Sequence, residues 1–539
     1  MTAPRHGHRR AGLFWGAIAV TPLLVFATCE GLARLARPAD DDFLALRGDP
    51  LLFERFERDG APHVRIAHPE MYGAGSAAFP LAKPEAGLRI FALGGSASAG
   101  WPHPPEESYP RYLAHSLART LPGRQVEVID ASAHAWAAYR VRLVLRQVLR
   151  FDPDLVVVYS GNNEFLEPRR YLPESALPER VRRLASVRAL RRRLLPLLRP
   201  DAVLDAGQRE HASFEVWTKL RQRALALRQD PTQLRRVQDH YADSIDGMAR
   251  EARAAGVPIV LVSVPVNLRD WRPNVSAPAP AGAVGDTWRA HVLRGRRALF
   301  RGDAAEAARA LACAASLAPD HAETRFWLAT ALERAGRFEE SVRAFRTAAD
   351  LDLNPFRALS AFNVAVRGAA ERHPHAVLAD VEAAFAGVSA PRAPGFDLFL
   401  DYVHPTERGN HLVAETVQRA VFASGATGVA APFPPFSPPE DRGYAETEDP
   451  RVQRALLTLF AMMHQHASLV EIAARYAGRD DPRFRFAREW LAVFAPLVEL
   501  DRRRLAGEPP TPAEEARAQA RLEAFYARHF AGALRHDEG

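Results

Sequence analysis

Leu88-Arg89-Ile90-Phe91-Ala92-Leu93 runs straight into Gly94-Gly95-Ser96-Ala97-Ser98-Ala99-Gly100. The first six residues read as a short apolar strand. Glycines at its end let the backbone turn tightly and leave a serine at the carboxyl edge of a sheet, where open α/β folds hold their ligands. Outward from this point strands and helices alternate. A helix is expected over 109–121, a strand over 125–129, a helix over 137–150 and a third strand over 154–159. Further apolar runs over 257–264 and 376–381 supply a fourth and a fifth strand. Strands this apolar, separated by helices, predict a parallel sheet covered on both faces, a three-layer α/β/α sandwich. The residues before it, 40–87, read as mixed and loop-like.

The chain has 539 residues and a net charge of +7. Lys83 and Lys219 are its two lysines, so the positive charge is almost all arginine, as the codon bias of a GC-rich bacterial genome produces. A charge this modest over this length, without a nucleic-acid-binding module, argues against a nucleic-acid partner. Cys29 and Cys313 lie too far apart in too different settings to suggest a disulfide framework, and no zinc-ligand spacing is present.

At the N-terminus, Arg5, Arg9 and Arg10 precede an uncharged run over 11–29. Nineteen residues at a helical rise of ~1.5 Å span roughly the ~30 Å hydrocarbon core of a bilayer. The expectation is therefore a basic cytoplasmic segment over 1–10 and an uncleaved single-pass anchor over 11–29. The rest would then lie outside the cytoplasm, in the cell envelope.

Two insertions interrupt the α/β pattern, which otherwise covers 86–283 and 356–425. The first, 169–237, is helical and Arg-rich, with leucines at helical spacing. In the second, 284–355, Gly302, Ala307, Leu311, Ala314, Ala315 and Leu317 recur 34 residues later as Gly336, Ser341, Phe345, Ala348, Ala349 and Leu351. A 34-residue period with glycine at the helix turn is the tetratricopeptide signature. Two copies are fewer than stand alone, so the pair is expected to pack on the α/β core. It either offers a docking surface for an envelope protein or serves as a structural spacer. A Pro-rich linker over 429–440 leads to amphipathic helices over 450–536 with no recognisable chemistry.

Three segments carry residue types suited to nucleophilic catalysis. Ser96 follows the first strand. Gly161-Asn162-Asn163-Glu164 follows the third, where an Asn amide can donate to a developing oxyanion. Asp401-Tyr402-Val403-His404 precedes the last helix, and such an Asp–His pair can fix an imidazole tautomer and take a serine proton.

In this order the segments resemble the SGNH (GDSL-like) hydrolases. The family's first block is similar to Gly94-Gly95-Ser96, its second to Asp130-Ala131-Ser132-Ala133, its third to Gly161-Asn162-Asn163-Glu164 and its last to Asp401 through His404. The resemblance implies acyl transfer from an ester-containing small molecule, glycan or lipid, with no metal or cofactor. Ser96 is the implied nucleophile, His404 the base and Asp401 its orienter. The N–H groups of Ser96 and Ser132 and the Asn163 side chain hold the oxyanion, with Gly95 and Gly161 in support. Asn267 is a candidate substrate contact. An O-acyltransferase acting on an envelope polysaccharide, or an inactive tetratricopeptide scaffold, are the competing readings.

Overall fold

The computed structural model describes residues 28, 52–66, 78–166, 221–222, 224–439 and 449–529. Part of the stretch that reads as loop-like in sequence is a small antiparallel sheet of β1 (Phe53–Arg58), β2 (Ala61–Ile66) and β3 (Ala78–Pro80), in that order. Asp59 and Gly60 join the first two at φ +54° and +73°. A two-residue turn of this handedness matches the twist of its flanking strands.

The α/β unit contains β4 (Leu88–Gly94), β5 (Val126–Asp130), β6 (Leu155–Tyr159), β7 (Ile259–Val262) and β8 (Ala376–Ala379). All pair in parallel, in the order β5-β4-β6-β7-β8. Every residue of β4 and β6 is buried, which is why each reads as a nearly continuous apolar run, broken in β4 only by Arg89, rather than an alternation. The chain adds β5 to one side of β4 and the remaining strands to the other. The crevice at the carboxyl ends of β4 and β6 is thus the topological switch point, the usual ligand position in such sheets. Arg89, fully buried in β4, ties β3 to this sheet. It pairs with Glu127 at 2.8 Å, donates to the carbonyls of Pro80 (2.8 Å) and Phe151 (2.9 Å), and lies over the Phe79 ring.

A single helical turn, α1 (Ser96–Ala99), follows β4, and α2 (Tyr109–Thr120) and α3 (Ala138–Val148) flank β5 in sequence. Next comes α4 (Pro231–Ala254), whose N-cap Asp230 accepts from the Thr232 and Gln233 N–H groups. The second insertion comprises α5 (Gly282–Arg301), α6 (Ala304–Leu317), α7 (Ala322–Arg334) and α8 (Phe338–Leu351). Then come α9 (Ser360–Arg372), α10 (Val381–Ser389) and α11 (Glu407–Ala423). Helix α3 packs on α4 and α4 on α9, whereas α2 packs on α11. These two groups are the outer layers of the sandwich.

In the insertion, α5 with α6 and α7 with α8 form successive helical hairpins. Gly302 and Gly336 sit at the two hairpin bends with φ of +83° and +74°. Leu299, Leu311, Leu328 and Leu332 share one buried cluster inside the insertion. A second cluster joins Phe326 and Phe345 to Leu268 and Ala393, so one face of the insertion packs on the α/β unit. The Pro-rich stretch is a strap and not a free linker: Ser437 N–H donates to Ser116 Oγ at 2.8 Å, and Phe433 stacks on Phe422. Beyond it lie α12 (Pro450–Met462), α13 (His466–Ala477), α14 (Arg485–Ala506) and α15 (Pro512–His529).

The expected single-pass membrane anchor is corrected here. Among the described residues no helix is long and apolar enough to cross a membrane. The run 11–29, apart from Thr28, and most of the Arg-rich insertion 169–237 lie outside the described residues.

Candidate active site

The end of β4 puts Ser96 at the first position of α1, half-exposed, behind Gly95 in extended backbone. A Cβ on Gly95 would sit 2.4 Å from Asn163 Nδ2, so a larger residue there requires the Asn163 amide to shift.

The loop 401–405 brings the remaining groups. Ser96 Oγ is 2.8 Å from His404 Nε2, across 308 residues of sequence. His404 Nδ1 is 2.5 Å from Asp401 Oδ2. The other carboxylate oxygen of Asp401 accepts the N–H groups of Val403 (2.8 Å) and His404 (2.9 Å). Asp401 is fully buried and His404 nearly so. From the other side His103 reaches the loop, its Nε2 3.1 Å from the Pro405 carbonyl. The Trp101 ring lies 4.5 Å from the imidazole. Hydroxyl, imidazole and carboxylate in line can carry a proton from serine to ring while the carboxylate holds the ring's tautomer.

The segment after β6 supplies the amide. Gly161, at φ +154°, faces Val264 and Tyr241, and the Tyr241 hydroxyl donates to Ser160 O at 2.8 Å. Asn162 turns away from Ser96, its Oδ1 accepting the Ala358 N–H. Asn163 Nδ2 donates one of its two hydrogens to the Trp136 carbonyl at 3.0 Å, which leaves the second for a ligand. Glu164 is buried and accepts the Ala138 N–H at 2.8 Å. Asn163 and Glu164 together pin the loop between β5 and α3.

That loop departs from expectation. The Ser132 N–H donates to Asp130 Oδ1 at 3.0 Å, and its hydroxyl donates to Ser98 Oγ at 2.8 Å. Fully buried and committed to these partners, Ser132 has no N–H to offer an oxyanion. Further along the same loop Ala135 is exposed and holds φ +57°. A left-handed alanine costs roughly 1–2 kcal/mol relative to the right-handed form, and strained backbone of this kind gathers at ligand sites. The sequence gives no sign of it, since alanine does not announce a positive φ. Burial raises the Asp130 pKa to about 7, against the opposing bonds from Ser132. Next to Ala135, desolvation of the His134 ring and repulsion from His404 lower its pKa to about 4, although the residue keeps exposed surface.

Asn267 is also corrected. It is fully buried, its Nδ2 donates to the Asp401 carbonyl at 2.9 Å, and its Oδ1 accepts the Asp270 N–H. It braces the loop 401–405 from behind and faces its backbone.

Residues 92–330 match the GDSL-like Lipase/Acylhydrolase family. The match covers under half of the chain and takes in Ser96 and Asn163, with Asp401 and His404 beyond its end. No curated protein matches the sequence. Solved structures with some likeness include an alpha/beta hydrolase enzyme from the metagenome of Lake Arreo, Spain. It is 13% identical, with 65% of this chain and 97% of that one covered and a TM-score of 0.29. An acetylxylan esterase from Geobacillus stearothermophilus is 13% identical over 64% and 98% of the two chains, at a TM-score of 0.29. TesA is 14% identical over 62% and 99%, at 0.26. At such scores these likenesses bear on neither substrate nor mechanism.

Proposed function

We propose that this chain, which carries a GDSL-like lipase/acylhydrolase domain and is an ester-bond hydrolase, cleaves its esters through Ser96, His404 and Asp401. The observation that carries the assignment of these residues is the unbroken line from Ser96 Oγ through His404 to Asp401, at 2.8 and 2.5 Å. Ser96 Oγ attacks the ester carbonyl as its proton passes to His404 Nε2. The imidazolium, held by Asp401, then protonates the departing alkoxide and leaves an acyl-serine. Water, deprotonated by the same ring, attacks the acyl-serine and releases the acid.

The oxyanion receives the free hydrogen of Asn163 Nδ2 and the N–H of Ser96 at the start of α1. In place of Ser132 we assign the third donor to the Ala135 N–H. What supports this is the left-handed backbone in a loop fixed on both sides by Asn163 and Glu164. Substrates are esters of small molecules, glycans or lipids.

The hairpins over 282–351 we read as a tetratricopeptide pair, on the strength of the repeated left-handed glycine caps. Their solvent-facing side is a docking surface for a protein partner. Substitutions there leave small-ester turnover unchanged.

The reading is tested by labelling the protein with a fluorophosphonate and mapping the modified peptide. Label on Ser96, lost in Ser96→Ala together with turnover of activated esters at unchanged thermal stability, is the expected result. Wild-type turnover by Ser96→Ala overturns it.

A further inference from the structure

One aromatic side chain, Trp271, links the C-terminal helices to the loop 401–405. Trp271, on the segment after β7, is fully buried. Its ring lies 5.1 Å from Phe460 of α12 on one side and 5.1 Å from Tyr402 on the other. Tyr402 stands between Asp401 and His404 in sequence, and its ring is 6.0 Å from the imidazole. Phe460 is itself fully buried and Tyr402 nearly so, and all three rings lack room to rotate independently in close-packed surroundings.

Polar contacts fix both ends of this stack. Gln465, just after α12, donates through Nε2 to the Arg272 carbonyl at 3.1 Å. The Trp271 indole N–H donates to Asn274 Oδ1 at 3.3 Å. On the catalytic side the Asn267 N–H donates to the Tyr402 carbonyl at 3.0 Å, beside the bond from Asn267 Nδ2 to Asp401. Arg357, buried beside Asp352, donates to the Asn267 carbonyl at 2.6 Å. The peptide groups of Asp401 and Tyr402 are therefore held by Asn267, and the Tyr402 ring by Trp271. Trp271 in turn has Phe460 behind it.

We infer that Phe460 and Trp271 are positioning residues for His404, so that the C-terminal helical region is part of the catalytic unit. The inference rests on the reading of Ser96, His404 and Asp401 given above. Its physical basis is that a void behind Trp271 lets the stack relax away from the loop. Tyr402 follows, and the imidazole shifts relative to Ser96 Oγ. Displacements of about 1 Å in a reacting pair cost on the order of 10²-fold in rate. No residue of the C-terminal region has to touch substrate for this to act.

The experiment compares cavities of similar size in the full-length chain. Phe460→Ala opens space behind Trp271. Phe494→Ala opens space within the C-terminal helices, where Phe494 is fully buried against Phe525 and Trp490. Turnover of an activated acetyl ester and the rate of fluorophosphonate labelling are measured where every variant is folded, together with the melting temperature.

Both variants are expected to melt earlier. Phe460→Ala alone loses about 10- to 100-fold in kcat, with KM within about twofold and labelling slowed in parallel. Phe460→Leu, which refills most of the volume, recovers most of the rate and serves if the alanine variant does not fold. Equal kcat in Phe460→Ala and wild type overturns the inference, and so does an equal loss in both alanine variants. Failure of the catalytic reading is told apart by Ser96→Ala, which then keeps its turnover.

Discussion

In the loop 401–405 the Asp401 carboxylate accepts two backbone N–H groups as well as the imidazole, and the loop's own peptide groups are held by Asn267 and His103. In the loop 130–137, on the other side of Ser96, half-buried Asp130 has its pKa raised to about 7 by desolvation and Ala135 is bent to φ +57°. The loop 401–405 spends its polar groups on holding the His404 ring in a single orientation. The other carries a disfavoured charge and a disfavoured backbone, and is kept in place by Asn163 and Glu164 from outside. Around Ser96, then, each loop combines bonds of its own with ties to neighbours, in different proportions.

Substitutions in the loop 401–405 should destroy chemistry and spare structure. Asp401→Asn can still accept the two N–H groups, but its amide faces His404 Nδ1 and favours the tautomer with the proton on Nε2. That ring cannot take the Ser96 proton, and kcat should fall by about 10⁴. Retention of a tenth of the wild-type kcat would show that Asp401 does not set the tautomer.

Asn163→Ala tests the loop 130–137 by removing both an oxyanion donor and the tie to Trp136 O. A loss of roughly 10²–10³ in kcat is expected from the donor alone. The loop, now freed, should also show faster amide hydrogen exchange over 131–137, which a pure donor role would not produce.

Asp130 gives the loop 130–137 a pH dependence. With a folded pKa near 7 and an unfolded one near 3.8, the native state holds the proton more tightly. The contribution to stability is fully present below pH ~4 and is lost as pH rises through ~7. Urea unfolding of Asp130→Asn and wild type should therefore agree most closely in the acid range. Above neutrality the variant gains on wild type by up to a few kcal/mol. A constant gap across the range contradicts this sign.

The smallest effect belongs to Ala135→Gly. Glycine adopts positive φ without the alanine clash, so stability should rise by under about 1 kcal/mol, since glycine loses more freedom on folding. The N–H is retained, and esterase kcat should stay within about twofold. A drop in stability would mean that the left-handed backbone at 135 carries no strain.

Legibility in sequence follows from what each feature depends on. The five parallel strands are readable because burial on both faces demands apolar runs, and Ile90–Leu93 and Val156–Val158 satisfy that demand residue by residue. Ser96, Asn163, Asp401 and His404 are readable as candidates because their chemistry needs those residue types. The antiparallel sheet is harder. Its Asp59-Gly60 turn is a genuine hairpin signal, yet β1 fully buries only Phe53, so the alternation that frames such a turn is faint. Ser132 and Asn267 fail for another reason: which way a polar group points is settled by its hydrogen-bond partners, which composition and spacing do not reveal. Asp130 claims the first and Asp401 the second.

The insertion between β7 and β8 ends where it starts. Leu353 N–H donates to Val275 O at 2.9 Å, and the Asp352 carboxylate accepts the N–H groups of both Asn274 and Val275. For a folding chain this stem works as a shortcut. Once the hairpins over 282–351 have formed from local contacts, the stretch between β7 and β8 behaves as a much shorter tether. Loop-closure entropy grows as ~(3/2)RT ln n, so the search that brings β8 alongside β7 is eased, and with it the arrival of Asp401 and His404 beside Ser96.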